Sequence, residues 1–174
     1  MLERLPGAAI SVFMFIGMMG LLAACSSVPA ELSYSPESDL IPYSHTLVTN
    51  PQLIGKPVRW SGLIANTRIL ANTTEIEVVY LNLRSNGLPE QQEQSPGRFL
   101  VKVAGFLDPQ LYAPGRSISV LGQLQQSQTG HIGEHEYIFP VLRAEQYRLW
   151  PKQKEIEIRY VHDPLDDLMW TRPR

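Results

Sequence analysis

One short stretch of this sequence has the residue types of a hydrolytic zinc site. Residues 131–135 spell His-Ile-Gly-Glu-His, a pattern in which two histidines bind zinc and the glutamate acts as general base. That chemistry requires a helix, whereas Gly130 and Gly133 give the composition of a hairpin loop. We therefore expect no catalytic metal. His131 and His135 are weak candidates for metal binding, and a metal-dependent hydrolase using both with Glu134 is the disfavoured alternative.

Three cationic residues form a second candidate site. Arg98 and Lys102 alternate on one face of a strand-like run, and together with Arg116 they predict a small anion patch on a ligand face. We favour the alternative, a solvated strand face. The chain has 15 Lys plus Arg against 17 Asp plus Glu, a net charge of −2. This balance argues against a broad basic surface and disfavours nucleic acid as a partner.

The remaining polar residues show no arrangement that would support catalysis. The sequence has neither a nucleophile-elbow motif nor a glycine-rich phosphate loop. We therefore expect neither an enzyme nor a cofactor. The aromatic residues Trp60, Tyr137, Phe139 and Trp150 are expected to pack in the core and its rim, and a stacking platform for a sugar ring is the alternative.

The single cysteine lies at the end of an apolar N-terminal run. Ala8–Leu22 carries no charge, and it is shorter than the roughly 20 apolar residues needed to cross a bilayer. The residues Leu-Ala-Ala-Cys at 22–25 are typical of a bacterial lipobox. We predict that residues 1–24 are a signal peptide and that the thiol of Cys25 takes the lipid. The alternatives are an ordinary cleaved signal or an uncleaved helical anchor.

Lipidation of Cys25 would place the protein at a membrane. Stable anchoring takes more than one acyl chain, and a mature bacterial lipoprotein carries several. Ser26 favours the outer membrane, because an aspartate at that position tends to retain lipoproteins in the inner membrane. We expect the domain to face the periplasm, with peptidoglycan, lipopolysaccharide or an outer-membrane protein as partner. No disulfide can form, since lipid consumes the one thiol.

The chain after the signal peptide divides into three segments. Residues 25–43 are rich in Ser, Pro and acidic residues, which predicts a flexible tether behind the lipidated cysteine. Residues 44–150 form the predicted domain and begin with a short helix at Ser44–Thr49. Residues 151–174 form a C-terminal extension, in which alternation over 155–161 predicts a possible sixth strand before a loose tail.

Five runs with apolar residues at alternate positions predict β-strands. They lie at Pro57–Ile64, Glu75–Leu83, Arg98–Phe106, Ser117–Leu124 and Tyr137–Trp150. Gly62 in the first run predicts a bulge or sharp bend, and Pro140 in the last predicts an edge or a bulge.

A short helix is predicted between the third and fourth strands. Asp108 suits the N-cap, Pro109 the first helical position, and Pro114-Gly115 ends the element after one turn. Five strands with a helix at this place have the order of an OB-type barrel, whose outer face can bind an oligonucleotide or a glycan. We therefore predict a mainly β fold, a five- to six-stranded OB-like barrel with one short helix.

Three blocks of residues carry a resemblance to a known family. They are Asn-Pro-Gln-Leu-Ile-Gly-Lys leading to Val-Arg-Trp-Ser-Gly within Asn50–Gly62, Gly-Phe-Leu-Asp-Pro with the later Gly-Arg and Val-Leu-Gly within Gly105–Gly122, and Gly-His-Ile-Gly-Glu with Phe-Pro-Val within Gly130–Trp150. With the lipobox, these blocks resemble the Slp family of outer-membrane lipoproteins up to about Trp150. The tail after Trp150 lies outside that pattern.

The resemblance implies a lipid anchor at the outer membrane and, from the family name, a link to starvation and stationary phase. The family has no established catalytic residues, so it assigns none to this chain. We expect a non-enzymatic protein of the envelope, with a maintenance or stress role through binding of an envelope component. A purely structural partner of an outer-membrane protein and the metal-dependent hydrolase are the alternatives.

Overall fold

The structure is a computed structural model that describes residues 28–44 and 50–152. Cys25, most of the helix predicted at Ser44–Thr49 and the strand predicted at 155–161 lie outside these ranges. Five strands are described, and the predicted five are confirmed. They are β1 (Pro57–Ile69), β2 (Thr73–Leu81), β3 (Arg98–Ala104), β4 (Ser117–Ile132) and β5 (His135–Leu149).

The five strands close into a barrel in the order β1-β2-β3-β5-β4. Strands β3 and β5 pair in parallel, and every other neighbouring pair is antiparallel. This confirms the predicted OB-type barrel. Strands β1 and β4 run five and eight residues beyond their predicted ends, because the β1–β2 and β4–β5 ladders continue past the barrel wall as two long hairpins.

The barrel interior is filled by alternate residues of the strands, as the pleat requires. Trp60 and Phe99 are the largest side chains of this core, and their rings meet edge to face with centroids 5.3 Å apart. The ring of Tyr43 lies 5.1 Å from that of Trp60 and 6.1 Å from that of Phe99. The other members are β-branched or leucine: Val58, Ile64, Ile76, Val78, Val101, Val103, Ile118, Val120, Leu124 and Leu142.

Two irregular positions in the strands agree with the sequence. The backbones of β1 and β2 approach so closely at Gly62 that an added Cβ would lie 1.9 Å from the carbonyl oxygen of Val79, and the register shifts shortly after it. Pro140 lies opposite the register shift between Gln125 and Gln128 of β4, which confirms the predicted bulge.

The short helix predicted after β3 is present only as a single hydrogen-bonded turn, and no helix is assigned there. The Asp108 side chain accepts from the Gln110 amide at 2.8 Å, and its carbonyl accepts from Leu111 and Tyr112 at 3.0 Å, as a helix start would. Only one hydrogen-bonded turn forms, because Pro114 and the return into β4 leave no residues to propagate it. None of the helical segments in the described ranges is long and apolar enough to span a membrane.

The segment predicted as a flexible tether packs on the barrel wherever it is described. The 3-10 turn Ala30–Leu32 lies against β4 and β5, and the Leu32 side chain is fully buried. Further along, the Trp60 indole donates to the carbonyl of Ile41 at 3.0 Å. The apolar residues set within the Ser- and Pro-rich sequence account for this difference, because Leu32 is buried against the barrel wall and Ile41 and Tyr43 pack against the core.

Candidate functional site

A groove crosses the outer face of β2 and β3, between the β1–β2 hairpin and the β4–β5 hairpin. Its volume is about 170 Å³. Its lining is mostly polar: Asn66 and Arg68 from β1, Glu75 and Glu77 from β2, Leu100 from β3, Gln128, Gly130 and His131 from β4, and Phe139 from β5. Below, this feature is called the groove.

The β4–β5 hairpin forms one wall of the groove because it bends back over β3. The bend occurs at the bulge between Gln125 and Gln128, opposite Pro140. Beyond it, Phe139 packs with Leu100 and Val141 in a small apolar cluster outside the main core. The hydroxyl of Tyr137 then accepts from the Arg98 amide at 3.0 Å. The sequence predicted the strands of this wall and an edge or a bulge at Pro140, but it did not predict that the hairpin bends over β3.

Four charged residues of the groove face form two ion pairs with one another. Glu75 is only 5% exposed and forms an ion pair with Arg68 across β1 and β2. Glu77 pairs with Arg98 at 2.6 Å. Lys102 stands opposite Glu75 in the β2–β3 register. The face therefore presents neutralised charges and polar groups, with no concentrated positive field.

The structure brings together only two of the three residues of the predicted anion patch. Arg98 and Lys102 share the outer face of β3, as their alternation predicted. Arg116 lies in the β3–β4 connection, where it donates to the carbonyls of Leu111 at 3.0 Å and Trp150 at 2.9 Å. Sequence reasoning also missed that the two glutamates of β2 would neutralise this face, although their alternation with Ile76 and Val78 was visible.

The zinc-like sequence at 131–135 forms a tight β-hairpin turn. Gly133 has φ +61° and shares the two-residue turn with Glu134. His131 pairs across the ladder with Glu136, and His135 pairs with Ile132, so the two histidines point to opposite faces of the ribbon. No group of three potential metal ligands occurs in residues 28–44 and 50–152.

The aromatic residues named in the sequence analysis contact other residues of the barrel domain. Trp60 and Phe139 are buried, and the Tyr137 and Phe139 rings lie 4.6 Å apart. The Trp150 indole donates to the hydroxyl of Ser119 at 2.9 Å. These contacts agree with the expected packing role, and the polar lining of the groove comes from other residues.

Tyr43 joins the N-terminal segment to the strand that carries the groove. Its ring stacks on Tyr80 at 4.2 Å, and its hydroxyl donates to the carbonyl of Arg98 at 3.1 Å. Burial raises the pKa of Tyr43 far above its ordinary value, and the neighbouring Tyr137 adds to the effect. Tyr43 thus stays neutral and closes one end of the barrel.

The sequence is similar to proteins from two bacterial species. A protein from Haemophilus influenzae with the name "Uncharacterized protein" is 43% identical over 96 residues, covering 55% of this chain and 52% of that protein. The match therefore spans about half of that relative. Outer membrane protein Slp of Escherichia coli is 27% identical over 148 residues, covering 84% of this chain and 78% of that protein.

Solved structures of low similarity are also matched. A mitochondrial single-stranded DNA-binding protein from S. cerevisiae has a TM-score of 0.35 and 12% identity, covering 57% of this chain and 99% of that one. A small single-stranded DNA-binding protein from Streptomyces coelicolor has a TM-score of 0.33 and 16% identity, covering 55% and 94% of the two chains.

The family match extends across the lipobox, the barrel and the C-terminal tail. Residues 22–174 match the sequence profile described as the Outer membrane lipoprotein Slp family. The match begins at the first residue of the predicted lipobox and includes the tail after Trp150, so the expectation that this tail lies outside the family pattern is wrong. The chain therefore belongs to the Slp family of outer membrane lipoproteins.

Proposed function

We propose that this protein is a non-enzymatic binding module, anchored by lipid on Cys25 and facing the periplasm from the outer membrane. It serves envelope maintenance or the response to starvation by holding an envelope component in the groove. The groove itself carries this proposal, because the β2–β3 face between the two hairpins is where OB-type barrels bind oligonucleotides and oligosaccharides.

The paired charges of the groove favour a glycan as the ligand. A polyanion such as nucleic acid needs unpaired Lys and Arg side chains along its backbone. Arg68 and Arg98 are each already paired with a glutamate. Sugars instead require groups that both donate and accept hydrogen bonds, and the amides of Asn66 and Gln128 and the imidazole of His131 supply such groups at the groove. The glycan part of peptidoglycan or of lipopolysaccharide is thus the ligand class that we propose.

A metal-dependent hydrolase receives no support from the hairpin at 131–135. Two histidines on opposite faces of a β-ribbon cannot bind one zinc ion together. A purely structural partner of an outer-membrane protein is the remaining rival, and it predicts a specific crosslink in cells together with no binding of small glycans.

Thermal unfolding in the presence of candidate ligands tests the proposed binding. The probes are muropeptides, lipopolysaccharide, an oligonucleotide, and zinc with and without a chelator. A ligand present at 100 times its dissociation constant stabilises the fold by about 2.7 kcal/mol, which is readily measured. We expect stabilisation by one of the two glycan-bearing probes and none by the oligonucleotide or zinc.

Matched variants locate the binding site. Gln128→Ala, in the groove, should reduce the stabilisation by the glycan, whereas Gln52→Ala, an exposed glutamine outside the groove, should leave it unchanged. Stabilisation that is lost equally in both variants, or no stabilisation by any glycan, would exclude the groove as the site and leave the structural partner as the better reading.

The lipid anchor is tested separately in cells. Cys25→Ser should give a precursor that is not cleaved and takes up no labelled palmitate, because no other thiol is present in the sequence. Unchanged labelling of this variant would refute lipidation at Cys25. Protection of the anchored wild-type domain from protease in intact cells, and its digestion after the outer membrane is opened, would support the periplasmic orientation.

A further inference from the structure

A cavity of about 510 Å³ lies beside the first described residue of the chain. This volume is within the range of about 300–1,000 Å³ that is typical of small-molecule sites. Val28, Ser33 and Glu37 line the cavity from the N-terminal segment, Arg59 lines it from β1, and Arg84 and Ser85 line it from the loop after β2. Below, this feature is called the N-terminal cavity.

Arg59 enters the N-terminal cavity with only part of its guanidinium engaged. Its side chain is 13% exposed. Its Nη1 donates to the carbonyl of Leu32 at 3.3 Å and to the carboxylate of Glu37 at 2.9 Å. Both contacts use the same nitrogen, so Nη2 and Nε have no partner within the described ranges. Arg59 is therefore held in place and keeps donors for a ligand.

Arg84 supplies the second cation of the N-terminal cavity. Its amide donates to the carbonyl of Leu88 at 2.9 Å, and its carbonyl accepts from the Gly87 amide at 2.8 Å, so a tight turn fixes its backbone. In residues 28–44 and 50–152 its exposed guanidinium has neither a hydrogen-bond nor an ion-pair partner. Two guanidinium groups and the Glu37 carboxylate give the lining a net charge of +1. The fork of a guanidinium matches two oxygens of a phosphate group.

The position of the N-terminal cavity places it close to the predicted lipid. Cys25 precedes Val28 by three residues, which span at most about 10 Å when fully extended. Arg59 also lines the neighbouring cavity beside Tyr43 and Tyr80, so both cavities lie at the end of the barrel that this stack closes. Lipid on Cys25 would thus hold the N-terminal cavity at the level of the lipid head groups.

We propose that the N-terminal cavity binds the phosphate of an anionic phospholipid in the membrane that holds the anchor. This inference rests on the proposed lipidation of Cys25. Arg59 and Arg84 donate to the phosphate oxygens, and the hydroxyls of Ser33 and Ser85 add further donors. The net positive charge of the lining favours anionic over zwitterionic head groups, because basic pockets at the membrane surface attract anionic lipids.

Binding at this cavity also sets the direction in which the groove faces. Arg59 lies near the start of β1, whereas Arg68 of the groove lies near its end. The nine residues between these positions span about 30 Å in an extended strand. A barrel that binds a head group at the N-terminal cavity therefore holds the groove away from the bilayer, where it can meet a ligand in the periplasm.

Melting temperatures of the full-length lipidated protein in dodecyl maltoside micelles test this binding. The added probes are phosphatidylglycerol, phosphatidylcholine and inorganic phosphate. The variant Arg84→Gln removes the exposed cation of the cavity, and Arg84→Lys keeps the charge but removes the fork. The matched control is Arg143→Gln, which alters an exposed arginine of β5 outside the cavity lining.

We expect phosphatidylglycerol to raise the melting temperature of the wild type and of Arg143→Gln by several degrees, and phosphatidylcholine to raise it much less. Arg84→Gln should lose most of this shift, and Arg84→Lys should keep part of it. An equal shift in wild type, Arg84→Gln and Arg143→Gln would overturn the inference. So would an equal, Arg84-dependent shift with inorganic phosphate, because it would identify a soluble phosphate compound as the ligand.

Palmitate labelling of the same preparation separates this inference from the proposed anchor. A wild-type protein that takes up no label would refute the anchor, whatever the melting temperatures show. A labelled protein without an Arg84-dependent shift would refute lipid binding at the cavity alone. Because Arg84 and Arg143 are both exposed, their variants should melt near the wild type without added lipid, which excludes misfolding as the cause of a lost shift.

Discussion

Two outer faces of the barrel differ in whether another part of the chain covers them. On the face formed by β4 and β5, the Ala30–Leu32 turn packs against the wall with Leu32 fully buried, and the Gly87 carbonyl and the Trp150 indole bond to the hydroxyl of Ser119. On the face formed by β2 and β3, the wall is left open as the groove, and its charged side chains are satisfied by ion pairs. The first is called the covered face and the second the groove face.

The difference shows how a small barrel can hold its fold and keep a surface free for a ligand. Apolar burial supplies most of the stability of a domain, and it is placed in the interior and on the covered face. Ion pairs at a partly exposed surface contribute little to stability, so a face that depends on them can lose contacts without unfolding the protein. We therefore expect substitutions on the covered face to affect stability and those in the groove to affect binding.

The largest effect on this comparison should come from Leu32→Ala. Removing a fully buried leucine costs about 2–5 kcal/mol, because the apolar transfer energy is lost and a cavity remains. Leu63→Ala, at an exposed leucine of β1, is the control and should cost less than about 1 kcal/mol. Urea unfolding measures both. Equal costs would mean that the N-terminal segment adds no stability to the covered face.

A pair of glycine substitutions tests the contact between the N-terminal segment at Val28–Leu32 and the β2–β3 loop at Gly87. Gly87 and Gly115 have φ of +79° and +81°, so alanine is strained by a similar amount at both. Only at Gly87 would the new Cβ meet a neighbour, the Cδ of Pro29 at 3.0 Å. We expect Gly87→Ala to destabilise the fold by about 1 kcal/mol more than Gly115→Ala, because the segment must shift to admit the methyl group.

Removal of residues 1–29 should abolish that difference between the two glycine variants. A difference that persists in the shortened chain would show that its cause is a contact within the 84–88 loop itself, and the covered face would lose one of its supports.

Tyr43 connects the segment to the groove face, and its removal should have a smaller effect that depends on pH. Tyr43→Phe loses the hydrogen bond to Arg98, at a cost of about 0.5–1.5 kcal/mol. Burial raises the pKa of Tyr43 in the folded state, so the folded state holds the phenol proton more tightly than the unfolded state. Stability is therefore full below the unfolded pKa of about 10 and falls as the pH rises above it.

The phenylalanine variant should lose less stability than the wild type between neutral pH and a pH above 10. Chemical denaturation at the two pH values measures the change. An identical loss in both proteins would show that the ionisation of Tyr43 does not contribute, and would assign the alkaline loss to other tyrosines such as Tyr80, whose pKa is also raised by burial.

The smallest effects should come from the ion pairs of the two faces. A double-mutant cycle on Arg68 and Glu75 should give a coupling of at most about 1 kcal/mol, since the carboxylate is buried but the guanidinium is largely exposed. The same cycle on Arg148 and Glu31, both partly exposed on the covered face, should give no measurable coupling at physiological salt. A larger coupling on the covered face would contradict the view that apolar contacts hold it.

Much of the barrel follows from local sequence alone. Alternating apolar residues determined the five strands and the inward position of residues such as Phe99 and Val101, because the side-chain period of a strand is two. The residues with special backbone properties, Gly62 and Pro140, marked a close approach and a bulge. The lipobox, and the family to which the chain belongs, were also visible without a structure.

Only the tertiary structure decided which surfaces are covered and which are open. Leu32 lies in a Ser- and Pro-rich segment with no periodic pattern, and its burial depends on β4 and β5, which begin more than 80 residues further along the chain. Long-range contacts likewise decide that Arg116 lies apart from Arg98 and Lys102. They also decide how the β4–β5 hairpin folds back. Local periodicity determines which way a side chain points from its own strand, whereas its partners are set by the closure of the barrel, which no short window of sequence contains.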